Sequence, residues 1–178
     1  MRFHNILKVL VLIFISSGLH AQDFYSYKLF DNKFQAVFPG EPSETPIPNE
    51  YKKFGIKAYQ YGDQVNQLTF TSQLSPSSLK YNVGEYKQST KKMLDESITK
   101  ALKYDNRKII SFSSTFKRNE NIYTAIFTSS FFSEGQKRYA STKQIIYKKK
   151  VYKWTVMYSH LKDKYIFDNY QEHCKVIK

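Results

Sequence analysis

Cys174 and its neighbour His173 are the residues whose types could run nucleophilic chemistry, a thiolate activated by an imidazole base. Adjacent residues on a helix point about 100° apart, so this base does not reach this thiol. A spacing of four from Tyr170 instead predicts that Cys174 fills the buried face of a helix as a small hydrophobe. Serines are plentiful, but no G-x-S-x-G elbow presents one. His160 is the other histidine beyond residue 21 and reads as a loop residue. Asn169 with His173, and Asp168 with Glu172, are four apart and could share helix faces, yet an amide is a poor zinc ligand and no further ligand joins them. Glu41 and Glu44 lie in a Pro-rich loop, where paired carboxylates are not held for acid–base work. Gly40, Gly55, Gly62, Gly84 and Gly135 never cluster into a phosphate cradle. The expectation is a chain with no catalytic residue, no metal and no cofactor, hence not an enzyme.

Cationic and aromatic residues offer a different chemistry. Lys143, Lys148, Lys149, Lys150 and Lys153 interleave with Tyr147, Tyr152 and Trp154. Lysines bind phosphate and aromatics stack on bases, as in single-strand platforms. No RRM, KH or OB signature accompanies them, so nucleic acid is not the expected partner. A hairpin turn of solvated lysines, flanked by strand aromatics facing the core, accounts for the same pattern. The candidate partner contacts are therefore Lys148, Lys149, Lys150 and Tyr152 at this turn. To them are added Pro39, Gly40, Glu41 and Pro42, which open a stiff loop carrying Pro46 and Pro48 as well.

The N-terminus places Arg2 and Lys8 before the apolar run 9–15, then Ser16, Ser17 and Gly18 ahead of Ala21. That is the order of a secretory signal peptide, residues 1–21, with cleavage near Ala21. The run is far shorter than the ~20 residues of a membrane span. No cysteine follows it to accept a lipid, and a lone Cys174 forms no internal disulfide. No transmembrane segment is expected after residue 21. The chain carries a net charge of +13, or +11 once Arg2 and Lys8 are removed. Such a balance favours anionic partners, including lipid, glycan or an acidic protein.

The elements that must position these residues are mostly strands. Alternation marks Tyr25 and Tyr27, a turn at Asp31 and Asn32, then Phe34, Ala36 and Phe38 on one face. The Pro-rich stretch to Pro48 is not expected to continue a ladder, because proline lacks the donor. Phe54, Ile56 and Ala58 begin the next strand, with Tyr59 and Tyr61 on its other face, and Gly62 with Asp63 turns the chain into Leu68, Phe70 and Ser72. Asn82 and Glu85 then form a capping-box-like start. Tyr86, Thr90, Leu94, Ile98, Ala101 and Leu102 make one stripe of a helix over 83–104. Four strands follow, carrying Ile110, Phe112 and Phe116, then Tyr123, Ala125 and Phe127, then 139–147, then Tyr152, Trp154, Val156 and Tyr158. Beyond Asp163, the residues Ile166, Phe167, Tyr170, Cys174 and Ile177 return to helical spacing.

The segment Phe34-x-Ala36-Val37-Phe38-Pro39-Gly40-Glu41-Pro42 resembles the "F-x-V-x-F-P-G-x-P" opening of small exported bacterial proteins with the PsbP-like fold, with Ala36 in place of valine. That fold is shared by the photosystem II extrinsic subunit PsbP and by a Ran-binding nuclear-transport factor. The resemblance implies an accessory or protein-binding role and carries over no active site. The combined expectation is an α+β domain over 22–178. It has a single antiparallel sheet of seven to eight strands packed with two helices, a PsbP-like α/β/α sandwich. Its function is that of an exported binding or accessory protein, periplasmic or secreted, with a protein partner in the cell envelope. The alternative is a module docking electrostatically on anionic lipid or glycan. N-terminal sequencing of protein from the extracytoplasmic fraction should find a chain beginning near Gln22; a product starting at Met1 would refute the leader.

Overall fold

A computed structural model describes residues 23–76 and 88–178. The leader and the Asn82, Glu85 and Tyr86 helix start lie outside the described residues. The strands are β1 (Tyr25–Leu29), β2 (Phe34–Phe38), β3 (Ser43–Glu44), β4 (Lys57–Asp63), β5 (Leu68–Pro76), β6 (Lys108–Lys117), β7 (Ile122–Ser133), β8 (Gln136–Tyr147), β9 (Lys150–Tyr158) and β10 (Lys175–Val176). The helices are α1 (Asn49–Lys52), α2 (Gln88–Tyr104) and α3 (Lys164–Tyr170).

Seven strands form one antiparallel sheet in the order β3-β4-β5-β9-β8-β7-β6. β9 and β8 lie at its centre, and β8 is buried on both faces from Ala140 to Ile146. Alternation along β5 and β9 sends Leu68, Phe70, Ser72, Leu74, Tyr152, Trp154, Val156 and Tyr158 to one face, all buried. That face is covered by a second, three-stranded sheet, β1-β2-β10, and by α3. The opposite face receives α2, whose Leu94, Ile98 and Leu102 pack on Tyr123, Ala125, Phe127 and Ile146.

The second sheet corrects the single-sheet expectation. Phe30, Asp31 and Asn32 all take left-handed backbone (φ 55, 58 and 60°), closing β1 onto β2 as a tight hairpin. β2 is buried from Ala36 to Phe38 and at Phe34, so it gains more by lying face-on against the large sheet than by pairing at its edge. The open edge of β2 is then filled by β10, with Lys175 opposite Gln35 and Val176 opposite Phe34.

That pairing also shortens the last helix. α3 ends at Tyr170, a 3-10 turn spans Gln171–His173, and Cys174 is extended (φ −88°, ψ 113°) so that the chain can reach β2. Cys174 is buried as expected, but from an extended segment and not from a helix face.

Three smaller corrections follow from packing. Ser43 and Glu44 supply the donors that the prolines lack and pair with Gln60 and Tyr59, so a two-residue ladder interrupts the Pro-rich stretch. Phe54 is exposed in the turn after α1, the strand begins only at Lys57, and it runs through Gly62 to Asp63 before turning. In β6 a register shift between Ile109 and Ser111 turns Ile110 outward and places Ile109 against the α2 cluster.

α2 is further fixed by polar contacts. The Tyr123 hydroxyl donates to Asp95 Oδ1 at 2.5 Å, and Lys91 Nζ donates to Oδ2 at 2.8 Å. Burial alone would raise the Asp95 carboxyl, but these two donors outweigh it and hold the group below the usual carboxylate range. Leu94 lies at the centre of the apolar stripe. Leu94→Ala should cost about 2–5 kcal/mol, and Met93→Ala, at an exposed position, well under ~1 kcal/mol; equal losses in denaturant melts would show that the stripe is misassigned.

Candidate functional site

The 39–42 loop is held at both ends, by β2 before it and by β4 after it. Pro39 ends β2, and beyond Pro42 the pairing of Ser43 and Glu44 and the bond from Thr45 N to Ala58 O (2.8 Å) tie the chain down. Gly40 lies against the Tyr61 ring, where a Cβ would sit 2.5 Å from Cε2 and 3.1 Å from Cζ. The glycine of the Phe-Pro-Gly motif is therefore required by close approach to an aromatic side chain. Glu41 is exposed, while Pro39 and Pro42 are half-buried.

The basic turn contracts in three dimensions. Lys148 and Lys149 form the two-residue loop between β8 and β9, with Tyr147 opposite Lys150. Their φ values of 47 and 59° place both in the left-handed region that such hairpin turns reserve for Asn and Gly. The β7–β8 hairpin solves the same geometry with Glu134 and Gly135 (φ 52 and 74°). Lys148 Nζ sits 5.1 Å above the Tyr147 ring, and among the described residues Lys148, Lys149 and Lys150 have no ion-pair partner.

The neighbours expected beside them face elsewhere. Tyr152 is only 3% exposed and stacks on Phe34 at 5.4 Å, so it belongs to the core and offers nothing to a partner. Trp154 is fully buried. Lys143 is 7% exposed; its Nζ donates to Gln171 O at 2.8 Å and lies 3.7 Å from Glu172 Oε2. Burial pushes its ammonium below the usual lysine range, against the pull of Glu172. The loop and the turn are also well apart. Tyr61 is opposite Phe70 and Lys150 opposite Pro76, six residues along β5, or about 20 Å.

The nucleophile and ligand candidates are dispersed. The Cys174 thiol is pushed up to about 12, chiefly by burial, and cannot ionise near neutral pH. His173 is exposed beside Tyr170, and His160 is exposed after β9. Asp168 is taken by Lys164 and Glu172 by Lys143. Among the described residues no group of three or more His, Cys, Asp or Glu could hold a metal ion, and no helix is long and apolar enough to cross a membrane.

One feature lies outside all of these candidates. α2 covers β6, β7 and part of β8, leaving the β5–β9–β8 portion of that face as the floor of a cavity of about 500 Å³. Register sets Gln73, Lys153 and Gln144 side by side across three strands, and Thr71, Thr155 and Thr142 in the next row. The signal for this floor was present in β9, where Lys153 and Thr155 alternate with Tyr152, Trp154 and Val156. Alternation does not tell a solvated face from a covered one.

No protein-family model matches the chain, and no curated protein matches it significantly. Among solved structures it is similar to cyanobacterial PsbP (CyanoP) from Synechocystis sp. PCC 6803. The identity is 8%, the TM-score 0.59, and the match covers 90% of this chain and 96% of that one. A structure from Pseudomonas aeruginosa, described as protein of unknown function PA94, putative regulator, matches at 10% identity and TM-score 0.44, over 82% and 89% of the two chains. The fold is therefore PsbP-like, in the form of a seven-stranded sheet with a separate three-stranded sheet and few helices.

Gly40→Ala should cost about 1–3 kcal/mol by driving a methyl into the packed Tyr61 ring. Adding Tyr61→Leu should recover part of the loss in a double-mutant cycle; strictly additive penalties would show that the contact does not explain the glycine.

Proposed function

We propose that this is an exported, non-enzymatic binding or accessory protein. It engages a protein partner in the cell envelope through the Lys148, Lys149 and Lys150 turn, with the 39–42 loop as a second contact. The observation that carries this reading is the backbone of the turn. Left-handed conformations at side-chain-bearing residues cost on the order of 1 kcal/mol or more, and such strain clusters at functional positions. Here two successive lysines take that conformation where Asn-Gly would be cheaper, and the result is three cations projecting together without acidic partners among the described residues. The PsbP-like fold is compatible with an accessory role, and Arg2, Lys8 and the apolar run 9–15 support export.

A second reading, electrostatic docking on anionic lipid or glycan, draws on the same three lysines and the net charge of +13. Protease treatment separates the two, because it destroys a protein partner and spares a lipid or glycan surface. Sedimentation of the purified protein with envelope fractions should show binding that protease treatment abolishes. Anionic vesicles alone should retain little.

Changing Lys148, Lys149 and Lys150 to Gln should weaken envelope binding by roughly tenfold, at about 0.5 kcal/mol for each exposed ion pair lost to the partner. Lys148→Asn with Lys149→Gly should also weaken it while stabilising the fold by about 1 kcal/mol or more through relief of the turn. Unchanged sedimentation with both variants would exclude the turn as the contact.

A further inference from the structure

Beside α2, the strip of sheet formed by β5, β9 and β8 is polar where it should be apolar if it were simply core. Thr71, Thr155 and Thr142 form one row across three strands, and Gln73, Lys153 and Gln144 the next. The Thr142 and Thr155 hydroxyls bond to each other at 2.9 Å, and Thr142 and Gln144 are buried. Above this floor the cavity wall is mixed: Leu94 and Ile98 from α2 and Phe127, Ile146 and Val151 from the sheet supply an apolar part, and Ser97, Asp105 and Arg107 a polar one. Its volume of about 500 Å³ lies in the range of small-molecule sites, which combine an apolar lining with a few converging polar groups.

Lys153 stands in the middle of that floor. It differs from Lys143, the other inward lysine, whose ammonium is satisfied by Gln171 O and Glu172. Among the described residues the Lys153 ammonium has no hydrogen bond and no carboxylate within ion-pair distance. Asp105 and Arg107 line the same cavity, and the Arg107 guanidinium lies 4.6 Å above the Phe131 ring. Burial, then the positive charge of Arg107, push the Lys153 ammonium below its usual range, and Asp105 offsets this only in part. A largely buried cation flanked by two amides is a site for an anion.

We propose that the cavity between the flank of α2 and the β5–β9–β8 strip binds a small monocarboxylate with an apolar body. The carboxylate is held by the Lys153 ammonium and the Gln73 and Gln144 amides, and the body lies against Leu94, Ile98 and Phe127. The charge balance sets the class of ligand. Lys153 and Arg107 against Asp105 leave one net positive charge in the cavity, which matches a monoanion and disfavours a phosphate dianion. The threonine row extends the floor with hydroxyls for a polar substituent beside the carboxylate. The site is separate from the Lys148, Lys149 and Lys150 turn and stands whether or not that turn docks a partner.

The test is a methyl-detected NMR titration of the purified protein with decanoate, below its micellar concentration, beside 1-decanol of the same chain length. Decanoate should produce saturable shifts at Ile98, Ile146, Val151 and Thr155, and should bind at least about tenfold more tightly than decanol, the margin of one charge-assisted contact. Lys153→Met, which keeps the length and removes the charge, should abolish that margin; Lys149→Gln should leave it intact. Shifts that do not saturate or are scattered over the surface, equal binding of decanoate and decanol, or full decanoate affinity in Lys153→Met would each overturn the proposal. Should Lys153→Met fail to fold, the decanoate–decanol comparison in the unmodified protein decides.

Discussion

The Trp154 indole is the joint on which the layers of this protein meet. It is fully buried, stacks on Phe167 of α3 at 5.3 Å, and donates its ring N–H to Val37 O of β2 at 3.0 Å. One side chain at the centre of the large sheet thus fixes both the small sheet and the last helix. The hydrogen bond matters because Val37 O lies on a strand sandwiched between layers, where an unpaired carbonyl would carry the desolvation cost of a buried polar group. Around this joint the aromatics complete the seal, with Phe34 stacked on Tyr152 and Phe24 on Tyr170. The C-terminal tail is drawn in by the same layer, through Lys143 to Gln171 O and through β10 to β2.

The opposite face of the same strands obeys another rule. α2 is anchored near one end by Lys91, Asp95 and Tyr123 and reaches Arg107 at the other, covering β6 and β7 more fully than β9 and β5. The strip left over is the polar floor. The two lysines of the central strands therefore meet different fates although Lys143 and Lys153 sit on adjacent strands, one residue out of register. Lys143 points to the aromatic layer and is neutralised there, while Lys153 faces the cavity beside α2 and is not. A shift of one residue along a strand exchanges the faces, so position in the pleat alone separates a structural lysine from a candidate binding one.

The two hairpin turns give a similar comparison. Glu134 and Gly135 occupy a tight turn with a glycine in its second position, and Lys148 and Lys149 occupy its counterpart without one. The second arrangement is the less stable backbone solution, and it leaves Lys148, Lys149 and Lys150 exposed at the end of β8 and β9, the strands that also carry the core joint.

The amino-acid sequence by itself determined the strand-rich order of elements, the core-facing set Leu68, Phe70, Trp154, Val156 and Tyr158, the α2 stripe at Leu94, Ile98 and Leu102, and a turn of lysines between the last two long strands. Each of these is written in local periodicity or in a short polar run; that the turn holds Lys148 and Lys149 alone, with Lys150 already paired in β9, came from the structure. Only the tertiary structure decided that β1 and β2 stack as a second sheet, that Cys174 reaches the core from extended chain, that Tyr152 is closed to any partner, and that Gly40 is required by Tyr61. It alone revealed the row of Gln73, Lys153 and Gln144. Period two states which residues share a face; it does not state what covers that face, because covering is done by residues distant in the chain. Cys174 shows the same limit for helical spacing. Its distance of four from Tyr170 suits a helix, yet pairing between β10 and β2, some 140 residues apart in sequence, outweighed the local preference.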